Sequence, residues 1–220
     1  MKRPLALVAA LLVSIATTLA LAQHGHQPMH RHFSGAERWA QVFDDPARDE
    51  WQKPDQVVAA LKLAPDARVA DIGSGTGYFA VRLARAVPQG TVTGADLEPD
   101  MVRHLNHRAA HEQLPNLSSL VAAPDDPRLP EPVDLALFVD VYHHIGSRER
   151  YFANLRAALR PGGRVAIIDF KPDSPEGPPT HFRVPAEQVK TQMQRSGYRL
   201  AEDNGFLPYQ YFLVFTPAQP

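Results

Sequence analysis

No cysteine occurs anywhere in the 220 residues. Disulfides and lipidation at a cysteine are thereby excluded, and a reaction that grips a soft metalloid through sulfur loses its ligands. Nor is there a surplus of basic charge, since 23 lysines and arginines face 24 aspartates and glutamates. With no basic stripe and no interleaved aromatics, a nucleic acid held through its phosphates is not expected as a partner. No internal repeat divides the chain, whose length suits one domain with a substantial core plus a leader.

The leader is the first feature present. Met1-Lys2-Arg3 is a positive start, Leu5 to Ala22 carries no charge, and Ala20-Leu21-Ala22 is an A-x-A cleavage pattern. This predicts an export signal over residues 1–22 and an exported product, periplasmic or secreted. Removing Lys2 and Arg3 with it leaves 21 basic against 24 acidic residues. The rival is an uncleaved membrane anchor, because 18 uncharged residues reach the low end of a span. Ser14, Thr17 and Thr18 make that span a poor one. No stable span is expected once the leader is gone. Gln23-His24-Gly25-His26-Gln27-Pro28-Met29-His30-Arg31-His32 follows. It reads either as a transition-metal tract or as a solvated lead-in, and no regular ligand spacing favours the metal. From Ser34 a helical pattern sets Trp39, Val42 and Phe43 on one face until Asp44-Asp45-Pro46 breaks it. Residues 23–53 are thus a His-rich lead-in and helical flap, after which Asp55 is placed to cap a helix over 56–63.

The centre of the chain is Val69-Ala70-Asp71-Ile72-Gly73-Ser74-Gly75-Thr76-Gly77-Tyr78-Phe79. A short apolar strand ends in a carboxylate, passes three alternating glycines, and turns into an amphipathic helix. Glycine lets a backbone turn sharply and touch a ligand, and the helix start aims unpaired N–H groups at the same spot. A dinucleotide fingerprint wants its third glycine where Tyr78 stands, and a carboxylate before the first glycine would repel a pyrophosphate. Asp71 suits a cation instead. The next strand ends at Asp96, well placed for two ribose hydroxyls. Downstream, strands at 68–72, 91–96, 117–121, 133–139, 164–169, 199–204 and 210–215 alternate with helices at 78–87, 99–112, 147–159 and 185–196. That alternation predicts a parallel sheet covered on both faces.

Over residues 54–215 the chain resembles the class I S-adenosylmethionine-dependent methyltransferases. The resemblance rests on Asp71-Ile72-Gly73-Ser74-Gly75-Thr76-Gly77, Gly94-Ala95-Asp96, Asp134-Leu135-Ala136-Leu137 through His143-His144-Ile145, and Leu159-Arg160-Pro161-Gly162-Gly163-Arg164, in that order. It implies a doubly wound, Rossmann-like α/β domain over residues 54–217, with seven mostly parallel strands, the last antiparallel, and helices on both faces. It implies S-adenosylmethionine as co-substrate and a small molecule as methyl acceptor. Asp71, Gly73, Gly75 and Gly77 would hold its methionine part and ribose, Asp96 the ribose hydroxyls, and Leu97 the adenine face. Near the adenine amino group the family has a carboxylate where this chain has Pro124, which leaves Asp125 for the contact and gives Asp126 a turn role.

The rule that open α/β sheets bind beyond the carboxyl ends of their strands also selects Asp140 to His144 and Asp169. Asp140 is assigned to the cofactor. His144 or His143 could serve as a base, and Tyr142 could orient the acceptor. Holding a nucleophile in attack geometry supplies roughly 7–11 kcal/mol of such a barrier, and a base is needed only if the nucleophile arrives protonated. Each histidine reads equally as a helix cap. Asp169-Phe170-Lys171 and Tyr209-Gln210-Tyr211 could line the acceptor pocket, with 172–179 a loop over it. Two other readings stay open: an exported nucleoside-binding module without catalysis, and a nicotinamide-dependent oxidoreductase. No structural metal is implied.

Overall fold

The structure is a computed structural model that describes residues 32–218. The expected leader and all of the His-rich tract but His32 lie outside those residues. Three helices come first: α1 (Ala36–Phe43), α2 (Arg48–Gln52) and α3 (Pro54–Ala60). The alternating part follows as β1 (Arg68–Ile72), α4 (Ala80–Ala86), β2 (Thr91–Asp96), α5 (Pro99–His111), β3 (Leu117–Val121) and β4 (Val133–Val139). It closes with α6 (Arg148–Leu155), β5 (Leu159–Phe170), α7 (Ala186–Arg195), β6 (Tyr198–Asn204) and β7 (Gln210–Pro217).

These strands form one sheet in the order β3-β2-β1-β4-β5-β7-β6. β7 pairs antiparallel with both β5 and β6, and every other pairing is parallel. The expected doubly wound architecture with an antiparallel last strand is therefore what forms. Its cause lies in strands such as β4, where Leu135, Ala136, Leu137 and Phe138 are all fully buried. A strand buried on both faces needs a continuous apolar run, and successive residues then serve opposite layers. Leu135 and Leu137 pack with Val57, Leu83 and Leu105 under α3, α4 and α5. Ala136 and Phe138 pack with Phe152, Val189 and Met193 under α6 and α7.

Local departures from the sequence reading have local causes. α3 starts at Pro54, two residues before the expected start, so Asp55 lies in the first turn and does not cap. Proline is pre-set for that first position, and Lys53 before it takes a left-handed turn at φ 45°. α2 is an additional short helix; its Arg48 Nε donates to Gln52 Oε1 at 2.9 Å, one turn on. α6 stops at Leu155 and a single 3-10 turn over Arg156–Ala158 leads into β5, which begins at Leu159 and so absorbs the Pro161-Gly162-Gly163 turn. Among the described residues no helix is long and apolar enough to cross a membrane.

Candidate functional site

The glycine turn at the end of β1 has the geometry its composition predicts. Gly73, Gly75 and Gly77 all have positive φ, at 69°, 52° and 96°. A Cβ on Gly73 would collide with Val141 Cγ2, and one on Gly77 would collide with Leu105 Cδ1. At these two positions only glycine fits, for backbone shape and for space at once. Inside the turn Asp71 is buried, and its carboxyl is pushed up to about 7 by that burial and then by the charge of Asp96, with a hydrogen bond from the Ala80 backbone acting the other way. Asp96 is also raised, by burial first, against backbone N–H bonds from Glu98 at 2.9 Å and Gly75 at 2.8 Å. Two carboxylates thus share a water-poor turn, the electrostatic complement of a cation. The hydroxyls of Ser74 and Thr76 are buried there too, with no hydrogen-bond partner among the described groups.

Beyond β4 the chain separates residues that the sequence leaves grouped. Tyr142 is fully buried, stacks on Phe152 with ring centroids 5.4 Å apart, and donates its hydroxyl to Gln192 Oε1 at 2.7 Å. That places it in the α6–α7 core. His143 is buried as well, with Nδ1 2.9 Å from both Asp169 oxygens and its backbone N–H donating to Asp169 Oδ2 at 3.1 Å. Burial alone would lower the His143 pKa, but the charge and hydrogen bond of Asp169 outweigh it and raise it. Asp169 is correspondingly lowered: its burial is overcome by His143 and by backbone N–H groups. His144 lies half-buried between rings, 4.2 Å from His143 and 5.7 Å from Phe33.

Asp140 departs from all of these. It is left-handed at φ 60°, and its carboxylate gathers donors from two distant elements. Gln52 Nε2 reaches Oδ2 at 3.1 Å, Arg48 reaches the same oxygen at 3.4 Å, and Gln210 Nε2 donates to Oδ1. Burial raises Asp140 to about 6, the Arg48 charge opposing it and Asp169 adding to it. Sequence reasoning misses Arg48 and Gln52; their spacing of four on one short helix is the only signal that points to them. It reaches Gln210 only as a lining of the acceptor pocket.

The remaining candidates scatter. Leu97 is 54% exposed just past β2, open for an apolar contact. Asp125 is exposed at the tip of a tight turn closed by Ala123 and Asp126, and Asp126 Oδ1 accepts from the Arg128 N–H at 2.7 Å. Lys171 spends its ammonium on the carbonyls of Leu207 and Pro208, at 2.8 and 3.1 Å. Tyr211 and Phe212 fall in opposite core layers, with the buried Tyr211 hydroxyl unpartnered among the described groups. The flap crosses the site. Phe33 donates its N–H to Glu98, beyond β2, at 3.1 Å, while its ring meets His144, beyond β4. Since β1 lies between those strands, Phe33 spans the tip of β1. Phe43 stands beside it, 3.5 Å from where a Cβ on Gly75 would be.

Comparison with known proteins agrees with this geometry. Residues 69–163 match the model of a family described as methyltransferase domain. The chain is 32% identical over 135 residues to trans-aconitate 2-methyltransferase of Rhodopseudomonas palustris, covering 60% of this chain and 48% of that protein. It is 31% identical over 119 residues to arsenite methyltransferase of Halobacterium salinarum, covering 53% of this chain and 30% of that one. The chain thus spans less than half the length of these curated relatives. A solved structure of a SAM-dependent methyltransferase from Aquifex aeolicus shares the fold, with a TM-score of 0.75 at 22% identity over 82% of this chain and 97% of that one. The matched stretch runs from β1 through the glycine turn to Gly163, and its sheet superposes on that of a methyltransferase. Residues 69–163 thus match a methyltransferase-domain family model, and the sheet that carries them has the Rossmann-like fold of a solved methyltransferase structure.

Proposed function

We propose that this protein transfers a methyl group from S-adenosylmethionine to a small-molecule acceptor. The observation that carries it is the pair of desolvated carboxylates, Asp71 and Asp96, around a turn that only glycine can make. S-adenosylmethionine supplies an activated methyl on a sulfonium, and it brings the cations that Asp71 lacks. Asp71 and the glycine turn receive its amino-acid end, Asp96 the ribose hydroxyls, and Leu97 the adenine face; Asp125 stands at the outer rim. The chain's task is to orient the acceptor and keep water out, which the aromatic flap serves.

Two features narrow the acceptor. The absence of cysteine disfavours arsenite, the substrate named for one relative. The strand ends that carry Asp71, Asp96 and Asp140 disfavour a polycarboxylate such as trans-aconitate, named for another. The leader supports export, to the periplasm or beyond.

Titration calorimetry of the purified chain with S-adenosylhomocysteine and with NAD tests the proposal. Binding of the first alone is expected, weakened at least about 100-fold in the Asp71→Asn/Asp96→Asn double variant, since charge-assisted contacts are worth about 1.5–3 kcal/mol each. Preference for NAD, or equal binding by the double variant, rejects it.

A further inference from the structure

We propose, resting on the reading above, that Asp140 is the catalytic proton acceptor for a nucleophile that arrives as O–H or N–H, and that Gln52 and Gln210 hold it in place. Position comes first. Asp140 is the first residue beyond β4, and its N–H donates to Ile168 O of β5 at 2.9 Å. Val141, next to it, fills the space beside Gly73. The residue therefore stands where the glycine turn of β1 meets the tips of β4 and β5. A left-handed backbone at a non-glycine residue is uncommon; aspartate tolerates it better than most, and such outliers concentrate at functional sites.

The cradle is the second argument. Gln52 and Gln210 are 0% and 1% exposed, come from α2 and β7, and are tied to each other through Gln52 Nε2 and Gln210 Oε1 at 3.3 Å. Each also donates to Asp140, one to each oxygen. Two buried amides fixed in this way orient the carboxylate, whose side chain still keeps 23% exposure. Two of the alternatives are otherwise engaged. Tyr142 is bonded to Gln192 inside the core, and His143 gives Nδ1 to Asp169 and is 2% exposed.

The charged groups that face Asp140 are Arg48 from α2, Asp169 from β5 and His143 from the turn after β4. Burial and Asp169 outweigh the cations, so the carboxyl titrates near neutrality, where a general base works best. In the step itself, the acceptor's proton passes to Asp140 while its lone pair forms the new bond to the methyl carbon. The carbon–sulfur pair returns to sulfur, leaving a thioether and a neutral Asp140 carboxyl. Charge and atoms balance without a further reagent.

Sinefungin, in which an amine-bearing carbon replaces the sulfur, sets an ammonium where the methyl would be. Its affinity relative to S-adenosylhomocysteine therefore reads the carboxylate across the cleft, without any acceptor. For the wild-type chain at pH 8 a preference for sinefungin of about tenfold or more is expected, the size of one charge-assisted contact. Asp140→Asn, which tolerates the same backbone, should reduce this ratio to about twofold or less. In the wild type the preference should also fade below pH 6, whereas Asp71 acts on both ligands alike and cancels. An unchanged preference in Asp140→Asn, or a ratio flat from pH 5 to 8, overturns the assignment alone. Should the wild type bind neither ligand, the methyltransferase reading falls first and takes this one with it.

Discussion

Asp71 shows what a residue contributes against the stability of its own fold. An aspartate whose folded pKa lies above its unfolded value holds more protons when folded, so stability falls as pH rises from about 4 towards about 7. Above neutral pH the ligand-free protein therefore carries an ionised Asp71 at a loss, which a bound cation would remove. Asp71→Asn is expected to stabilise the ligand-free chain at pH 8 by about 1–3 kcal/mol, with the gain shrinking by more than half at pH 5. Thermal melts at the two pH values check this; an unaltered or lower melting temperature at pH 8 would refute it. His143 and Asp169 behave differently, because each offsets the other's burial. The His143 contribution is lost as pH rises through its raised pKa, and that of Asp169 as pH falls through its lowered one.

At the scale of elements, the flap is the part whose role depends most on packing. α1 is fastened by Arg108, whose guanidinium bonds Asp44 at 3.0 Å and Thr76 O at 3.1 Å. α2 is fastened through Gln52 and Arg48 to Asp140, and the Tyr78 hydroxyl donates to Asp49. Between them the rings of Phe33, Trp39 and Phe43 form one cluster, with Trp39 stacked on Phe43 at 5.2 Å. Phe33 spans the tip of β1 and Phe43 lies beside Gly75, so the cluster stands next to the glycine turn. Phe33→Ala/Phe43→Ala is expected to accelerate S-adenosylhomocysteine association by about tenfold, in keeping with lid-limited access. Stopped-flow tryptophan fluorescence would show it, and equal association rates would mean that the flap does not gate entry. On the opposite rim the proline-rich loop is stapled by Arg183, which donates to Pro178 O at 2.8 Å and Pro172 O at 3.1 Å. A loop expected from its prolines is thus ordered by one arginine just past its end.

For the molecule as a whole, the sheet concentrates four carboxylates at one edge: Asp71, Asp96, Asp140 and Asp169. Asp71 and Asp140 both titrate above their unfolded range, so the ligand-free protein should be most stable on the acidic side of neutrality. Saturating S-adenosylmethionine is expected to move that optimum towards pH 7, as its cations draw the Asp71 pKa down. Melting temperature against pH, with and without the ligand, tests it; an optimum that stays put argues against cation binding at this edge. Much of this is legible in the order of residues alone. Alternating apolar runs and turn punctuation make β1 to β7 and their helices legible, most clearly in β1, β4 and β7, which bury both faces. The Asp71-Ile72-Gly73 turn and Asp96 are equally legible, since a positive-φ bend and a strand-end carboxylate are local properties. Helix starts are less so, because proline at Pro54 and aspartate at Asp55 compete for the same role. Only the tertiary structure decided how adjacent residues divide: Tyr142 into the core, His143 onto Asp169, Asp140 towards the cleft. Gln52, Gln210 and Asp140 are separated by tens of residues, and no local rule brings them together. Sequence by itself determined the elements and the glycine cradle, through short-range backbone and burial preferences; the partners of each buried charge were set by long-range packing, which decides where the desolvated groups meet.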